Sequence, residues 1–142
     1  MKTVSARNRS RQAGFSWTVP AVVLALIGVV ATFGLPRYRT MQERGKAGEA
    51  FAYLEKVQQA QEAHHAANGR YAWNLDDLEG GVGVPEHFWV SGPYSSDWTT
   101  DWIMTLTRNG PARGNGRYTV VWTQEGFDAV RSTIPEALAP GR

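Results

Sequence analysis

The chain has 142 residues, 15 basic and 13 acidic, for a formal charge of +2, and it contains no cysteine. That length holds one modest domain plus its termini, and the missing cysteine excludes disulfides, zinc–thiolate centres and thiol nucleophiles. The average charge hides a division. Lys2, Arg7, Arg9 and Arg11 precede the first apolar run with no acidic residue among them, and the remaining 11 basic residues face 13 acidic ones, a balance of −2. A nucleic-acid binder carries its positive charge on the folded domain, where it can neutralise phosphates. Here that charge sits at the N-terminal tip, so no nucleic-acid partner is expected.

Residues 1–14 form this basic leader. From Phe15 to Leu35 there follow 21 positions without a charged side chain, and ~20 helical residues cross the hydrocarbon core of a bilayer. The stretch from Ala21 to Val30 is apolar on every side, which a surface helix of a soluble protein is not. The larger basic cluster lies before the run, which keeps the N-terminus cytoplasmic and the body outside. A cleaved secretory signal has an apolar region of only ~7–15 residues and a small-x-small site; the sequence from Val30 to Pro36 offers no good one. Pro20 suits the first turn of a helix, where its missing N–H would be unsatisfied anyway, with Ser16 or Thr18 as its cap.

Over residues 36–68 the apolar spacing narrows to one face. Ala47, Ala50, Phe51, Leu54 and Val57 recur at three- and four-residue intervals, the pattern of a packed helix. Asn68-Gly69 supplies a left-handed stop. One helix from Phe15 to about Ala67 would be roughly 80 Å long at 1.5 Å per residue. Pro36 removes one of its hydrogen bonds and, with Gly34, weakens the join between the two halves. Residues 69–142 then read as a β head with an irregular tail. The segments Glu86–Ser91, Thr99–Arg108 and Arg117–Thr123 are predicted strands. Trp102, Met104 and Leu106 alternate with polar or outward positions, as do Tyr118, Val120 and Trp122, and this puts Trp102 and Trp122 in the core. Gln124–Phe127 is expected to end the last strand in a turn. The tail, with Pro135 and Pro140, is expected to be irregular and partly disordered. The fold expected is α+β: a long N-terminal helix, transmembrane then amphipathic, packed on an antiparallel sheet of three to four strands.

Arg11-Gln12-Ala13-Gly14-Phe15-Ser16, a basic leader ending in Gly-Phe before a spanning run, resembles the class III signal of type IV prepilins and type II secretion pseudopilins. Pro36, twenty-second after that Gly, and the run Asn68-Gly69-Arg70-Tyr71 with Asn74-Leu75-Asp76-Asp77-Leu78 are similar to the family's helix proline and helix end. The resemblance covers roughly residues 9–78 and is loose beyond. It implies that a prepilin peptidase cuts between Gly14 and Phe15 and methylates the new amine of Phe15. It implies a single-pass protein of the bacterial inner membrane that an assembly platform draws into a periplasmic or cell-surface filament with other pilin or pseudopilin subunits. Phe15, Val19, Pro36, Phe51 and Leu54 would serve filament assembly and helix packing. The family usually has Glu at the fifth mature position, thought to pair with a neighbour's amine; here it is Val19. An unpaired charge in the membrane costs roughly 2.5–3.5 kcal/mol, and tip pseudopilins, with no subunit ahead of them, lack that Glu. Val19 therefore suits a minor or tip subunit, while a divergent lineage with another pairing scheme also accommodates it.

No catalytic, cofactor-binding or metal residue is assigned, and no enzyme activity is expected. His64 and His65 are adjacent on a helix and point ~100° apart, unlike an i, i+4 metal pair. Asp97 and Asp101 bracket a loop, but two carboxylates fall short of the 6–8 oxygens calcium takes. Ser95-Ser96-Asp97 lacks a base, and Gly80–Gly83 lacks the Lys-Ser/Thr of a phosphate loop. Of the six tryptophans, Trp17 suits a membrane interface, and Trp89 and Trp98 are the better candidates for exposed contacts, with local packing the plainer role. The rival to a filament subunit is a signal-anchored extracytoplasmic domain that never polymerises and serves as a small binding or enzymatic module.

Overall fold

The computed structural model describes residues 18–140 apart from 79, 111 and 113. Gly14 and Phe15, the expected cleavage and methylation site, lie outside the described residues, as do Ser16, Trp17 and the side chains of Thr18 and Pro36. The chain divides into two compact units, Met1–Pro36 and Arg37–Arg142.

Helix α1 runs from Thr18 to Asn68 as one element of 51 residues. Pro20 falls in its first turn, where no intrahelical N–H is lost. At the other end Gly69 takes a φ of 70°, and its N–H closes on His65 O at 2.7 Å. The Asn68 side chain also donates to His64 O, so two of the last carbonyls are satisfied.

In the first unit the apolar side chains from Val19 to Leu35 are exposed all round the helix. In the second unit the same helix buries one stripe. Ala47, Ala50, Leu54 and Val57 are fully buried and Phe51 nearly so, each large side chain contributing about 1.5–3 kcal/mol.

They pack against a four-stranded antiparallel sheet in the order β1-β2-β3-β4. Its strands are β1 (Phe88–Tyr94), β2 (Ile103–Arg108), β3 (Thr119–Thr123) and β4 (Gly126–Phe127). In β2, Met104, Leu106 and Arg108 face inward and the residues between them do not, as two-residue alternation requires. Trp102 and Trp122 are both in the core. Phe51 meets Trp122 at 6.1 Å and the Phe127 ring edge-on at 5.3 Å.

The expected turn at Gln124–Phe127 is a hairpin that adds β4, with Thr123 opposite Gly126 and Trp122 opposite Phe127. In β1 the register breaks between Ser91 and Tyr94. There Gly92 adopts a φ of +111°, and a Cβ on it would lie 3.0 Å from Ile103 O, so only glycine fits.

The tail departs from expectation. Among its described residues it contains just one short 3-10 turn, Glu136–Leu138, yet it is docked. Asp128 N–H donates to Val121 O, and Thr133 N–H donates to Thr119 O. Ser132 and Thr133 hydroxyls accept the N–H groups of Val121 and Thr119, both at 2.9 Å. Leu138 is buried, and Arg44 Nε donates to Ala137 O at 2.8 Å. The tail thus covers the edge of β3 beyond its two-residue pairing with β4, an edge that would otherwise be free to pair with another chain.

Candidate functional site

Of the residues the sequence singles out for assembly, Val19 is 65% exposed at the start of α1, while Phe51 and Leu54 belong to the core of the second unit. The structure does not gather them into one site. What Val19 shares is a surface: Leu24, Leu26, Val30 and Phe33, each 60–72% exposed, surround the same helix. This segment has a mean hydropathy of 2.2, with none of it buried, and is long and apolar enough to cross a membrane. Apolar side chains on every face need a continuous apolar surrounding rather than one docking groove.

The second unit holds a polar centre that the sequence reading missed. Glu43 from α1 and Arg108 from the end of β2 are both 2% exposed. Arg108 Nε donates to Glu43 Oε1 at 2.5 Å, Nη2 donates to Oε2 at 3.3 Å, and Tyr118 Oη donates to Oε1 at 3.0 Å. Arg108 Nη1 donates to the carbonyls of His87 and Asn109, and its guanidinium lies 5.8 Å from the Phe88 ring centroid. Lys46 Nζ approaches Glu43 Oε2 at 3.9 Å.

Burial opposes the charge on Glu43, but the hydrogen bonds from Arg108 and Tyr118 and the field of Arg108 outweigh it and hold the carboxyl below its ordinary value. Arg108 is pushed up, first by its hydrogen bond to Glu43. Tyr118 is pushed up by burial and by the Glu43 charge, so it remains a neutral donor. Every strong acceptor and donor in this cluster is engaged inside the protein. Chemically it is a clamp between helix and sheet.

A signal for it exists in the sequence. Glu43 stands four residues before Ala47 on the stripe that continues through Ala50 and Leu54, and Arg108 has the inward parity of Met104 and Leu106. Two opposite charges that each break an apolar period are candidates for a buried pair.

The remaining candidates are occupied locally. His64 Nδ1 lies 3.0 Å from Arg70 O, and His65 Nε2 lies 3.0 Å from Thr99 O. Asp101 accepts from the Ser95 and Ser96 hydroxyls, and Asp97 accepts from Thr99 N–H and Oγ1. These bonds depress both aspartates below the ordinary carboxylate value. Among the described residues no group of three or more His, Asp or Glu side chains is arranged to hold a metal ion.

Trp89 is half exposed on β1, with the Arg117 guanidinium 4.9 Å from its ring centroid. Trp98 is partly buried against the core, and among the described residues the most exposed indole is instead Trp73. Comparisons with protein-family models, with curated proteins and with solved structures found no match.

Proposed function

We propose that this chain is a structural subunit of a type IV pilus-like or type II secretion pseudopilus filament, processed by a prepilin peptidase and placed at or near the tip. The observation that carries this is helix α1. Its first half exposes apolar side chains on all sides, and its second half, without a break in the helical element, buries one stripe beneath a small antiparallel sheet. Such a helix serves twice: its apolar half rests in the inner membrane before assembly and bundles with its counterparts in the filament afterwards, while the head covers the surface. The basic leader, the Gly14-Phe15 junction and Pro36 support the same assignment. Val19 at the fifth position after the junction supports the tip. The subunit's work is mechanical and needs no reactive group of its own.

The deciding measurement is the N-terminus of the protein recovered from membranes, by intact mass and N-terminal peptide mapping. A chain beginning at Phe15, with a methylated amine, is the expected result. A chain still beginning at Met1 in cells with an active prepilin peptidase would overturn the proposal and leave a static membrane anchor carrying a small head domain.

A further inference from the structure

The segment that leaves helix α1 turns an aromatic cleft outward. Gly69 ends the helix, and Arg70, Tyr71 and Trp73 follow it directly. The backbone here is held on both sides: Tyr71 N–H donates to Trp98 O at 2.7 Å, and Asn74 Oδ1 accepts Asp76 N–H at 3.2 Å. The Tyr71 ring stacks on His65 at 4.4 Å and meets Trp102 edge-on at 6.5 Å. Arg70, Tyr71, Trp73 and Trp98 line a cleft of about 360 Å³, a size that suits a small ring-bearing ligand.

Trp73 is 71% exposed. An indole kept in water on a fixed backbone forgoes a large apolar burial, and it needs no reordering to accept a partner. The Arg70 guanidinium, beside it, makes no hydrogen bond or ion pair among the described residues.

We propose that this cleft binds a pyranose sugar carrying a carboxylate. A pyranose has a face of C–H groups and a rim of hydroxyls. The aromatic rings take the C–H face, and Arg70 takes the carboxylate through paired N–H groups. Charge decides between a sugar acid and a nucleic acid. A polynucleotide needs several cations along its phosphates. Of the four residues that line this cleft, Arg70 is the single charged one. One carboxylate on an otherwise neutral ring matches that balance. The site belongs to the head alone, and it stands whether or not the chain enters a filament.

The test uses the full chain in detergent micelles, labelled with ¹⁵N at tryptophan and titrated with methyl β-D-glucuronide and with methyl β-D-glucoside. These two differ only in carboxylate against hydroxymethyl. The expected result is movement of the Trp73 and Trp98 indole N–H signals with glucuronide, and binding of the glucoside about tenfold weaker. Arg70→Gln is expected to remove that difference. Trp73→Ala is expected to weaken glucuronide binding while the Trp102 and Trp122 signals, which report the core, stay in place. Equal binding of the two sugars, or glucuronide shifts that survive Trp73→Ala, would overturn the proposal. Oligothymidylate moving the same indoles at lower concentration than glucuronide would also overturn it and assign the cleft to nucleic acid.

Discussion

Glu43 and Arg108 show how one residue on each element can pin a helix to a sheet. Neither charge is solvated, and each is the other's charged hydrogen-bond partner. Removing one member of such a pair leaves a buried charge uncompensated, at a cost of about 3–5 kcal/mol. Glu43→Gln is therefore expected to lower the melting temperature by more than about 10 °C, read by circular dichroism; a loss of about 2 °C or less would mean the clamp is incidental. The pH dependence has a definite sign. The folded Glu43 carboxyl lies below its ordinary value of 4.5, so its contribution is fully present above that value and is lost as the pH falls through the lower folded value. Asp97 and Asp101 shift the same way, so Glu43→Gln should flatten the acid limb of the stability curve without abolishing it. Gly92 makes a separate demand. With a φ of +111° and Ile103 O placed 3.0 Å from any Cβ, Gly92→Ala is expected to cost about 2 kcal/mol in chemical denaturation. An unchanged midpoint would mean that β1 can shift its register at no cost.

At the scale of elements, periodicity carried most of the fold. The stripe Ala47–Val57 and the alternation in β2 and β3 are local patterns, and every residue placed inward by them is buried. The end of α1 was legible at Asn68-Gly69 because a left-handed stop is local chemistry. The fourth strand falls within the three to four expected, whereas the docked tail and the Glu43–Arg108 clamp were not legible, because each rests on partners distant in sequence. Glu43 is 65 residues from Arg108, and Arg44 is 93 from Ala137. In the tail the prolines suggest disorder, while Ser132 and Thr133 look like ordinary loop residues until their hydroxyls are seen to accept the N–H groups of β3. Exposure of the tryptophans followed the same divide: strand parity placed Trp102 and Trp122 correctly, while Trp73 and Trp98 depend on how two loops meet. If the tail is the edge cover of β3, the double substitution Ser132→Ala, Thr133→Ala should speed hydrogen exchange at the Val121 and Thr119 amides selectively, with a loss of about 1–3 kcal/mol in local protection. Exchange that rises equally at Met104 and Leu106 would show global loosening instead and would remove the edge-cover role.

For the whole molecule, the two units differ in what they need from their surroundings. The second unit has a core of its own, drawn from Ala47 onward, with its buried charges paired within it. Residues 37–142 alone are accordingly expected to fold as a soluble domain with a cooperative melt; a molten spectrum without one would show that the head depends on the preceding helix. The first unit, by contrast, exposes apolar side chains on all sides, and it needs an apolar surrounding to cover them. On the filament proposal, Val19 sets where the subunit can stand. A carboxylate there would cost roughly 2.5–3.5 kcal/mol in the bilayer, a cost offset only when a neighbour's amine pairs with it. Val19→Glu should then let the subunit follow another in the shaft rather than end a row. The expected outcome is a rise in its copy number per filament, counted by quantitative mass spectrometry of sheared filaments against the major subunit. Unchanged stoichiometry, with the variant still processed and still in the membrane, would show that something other than the missing carboxylate confines it, and would turn attention to the head as the determinant of position.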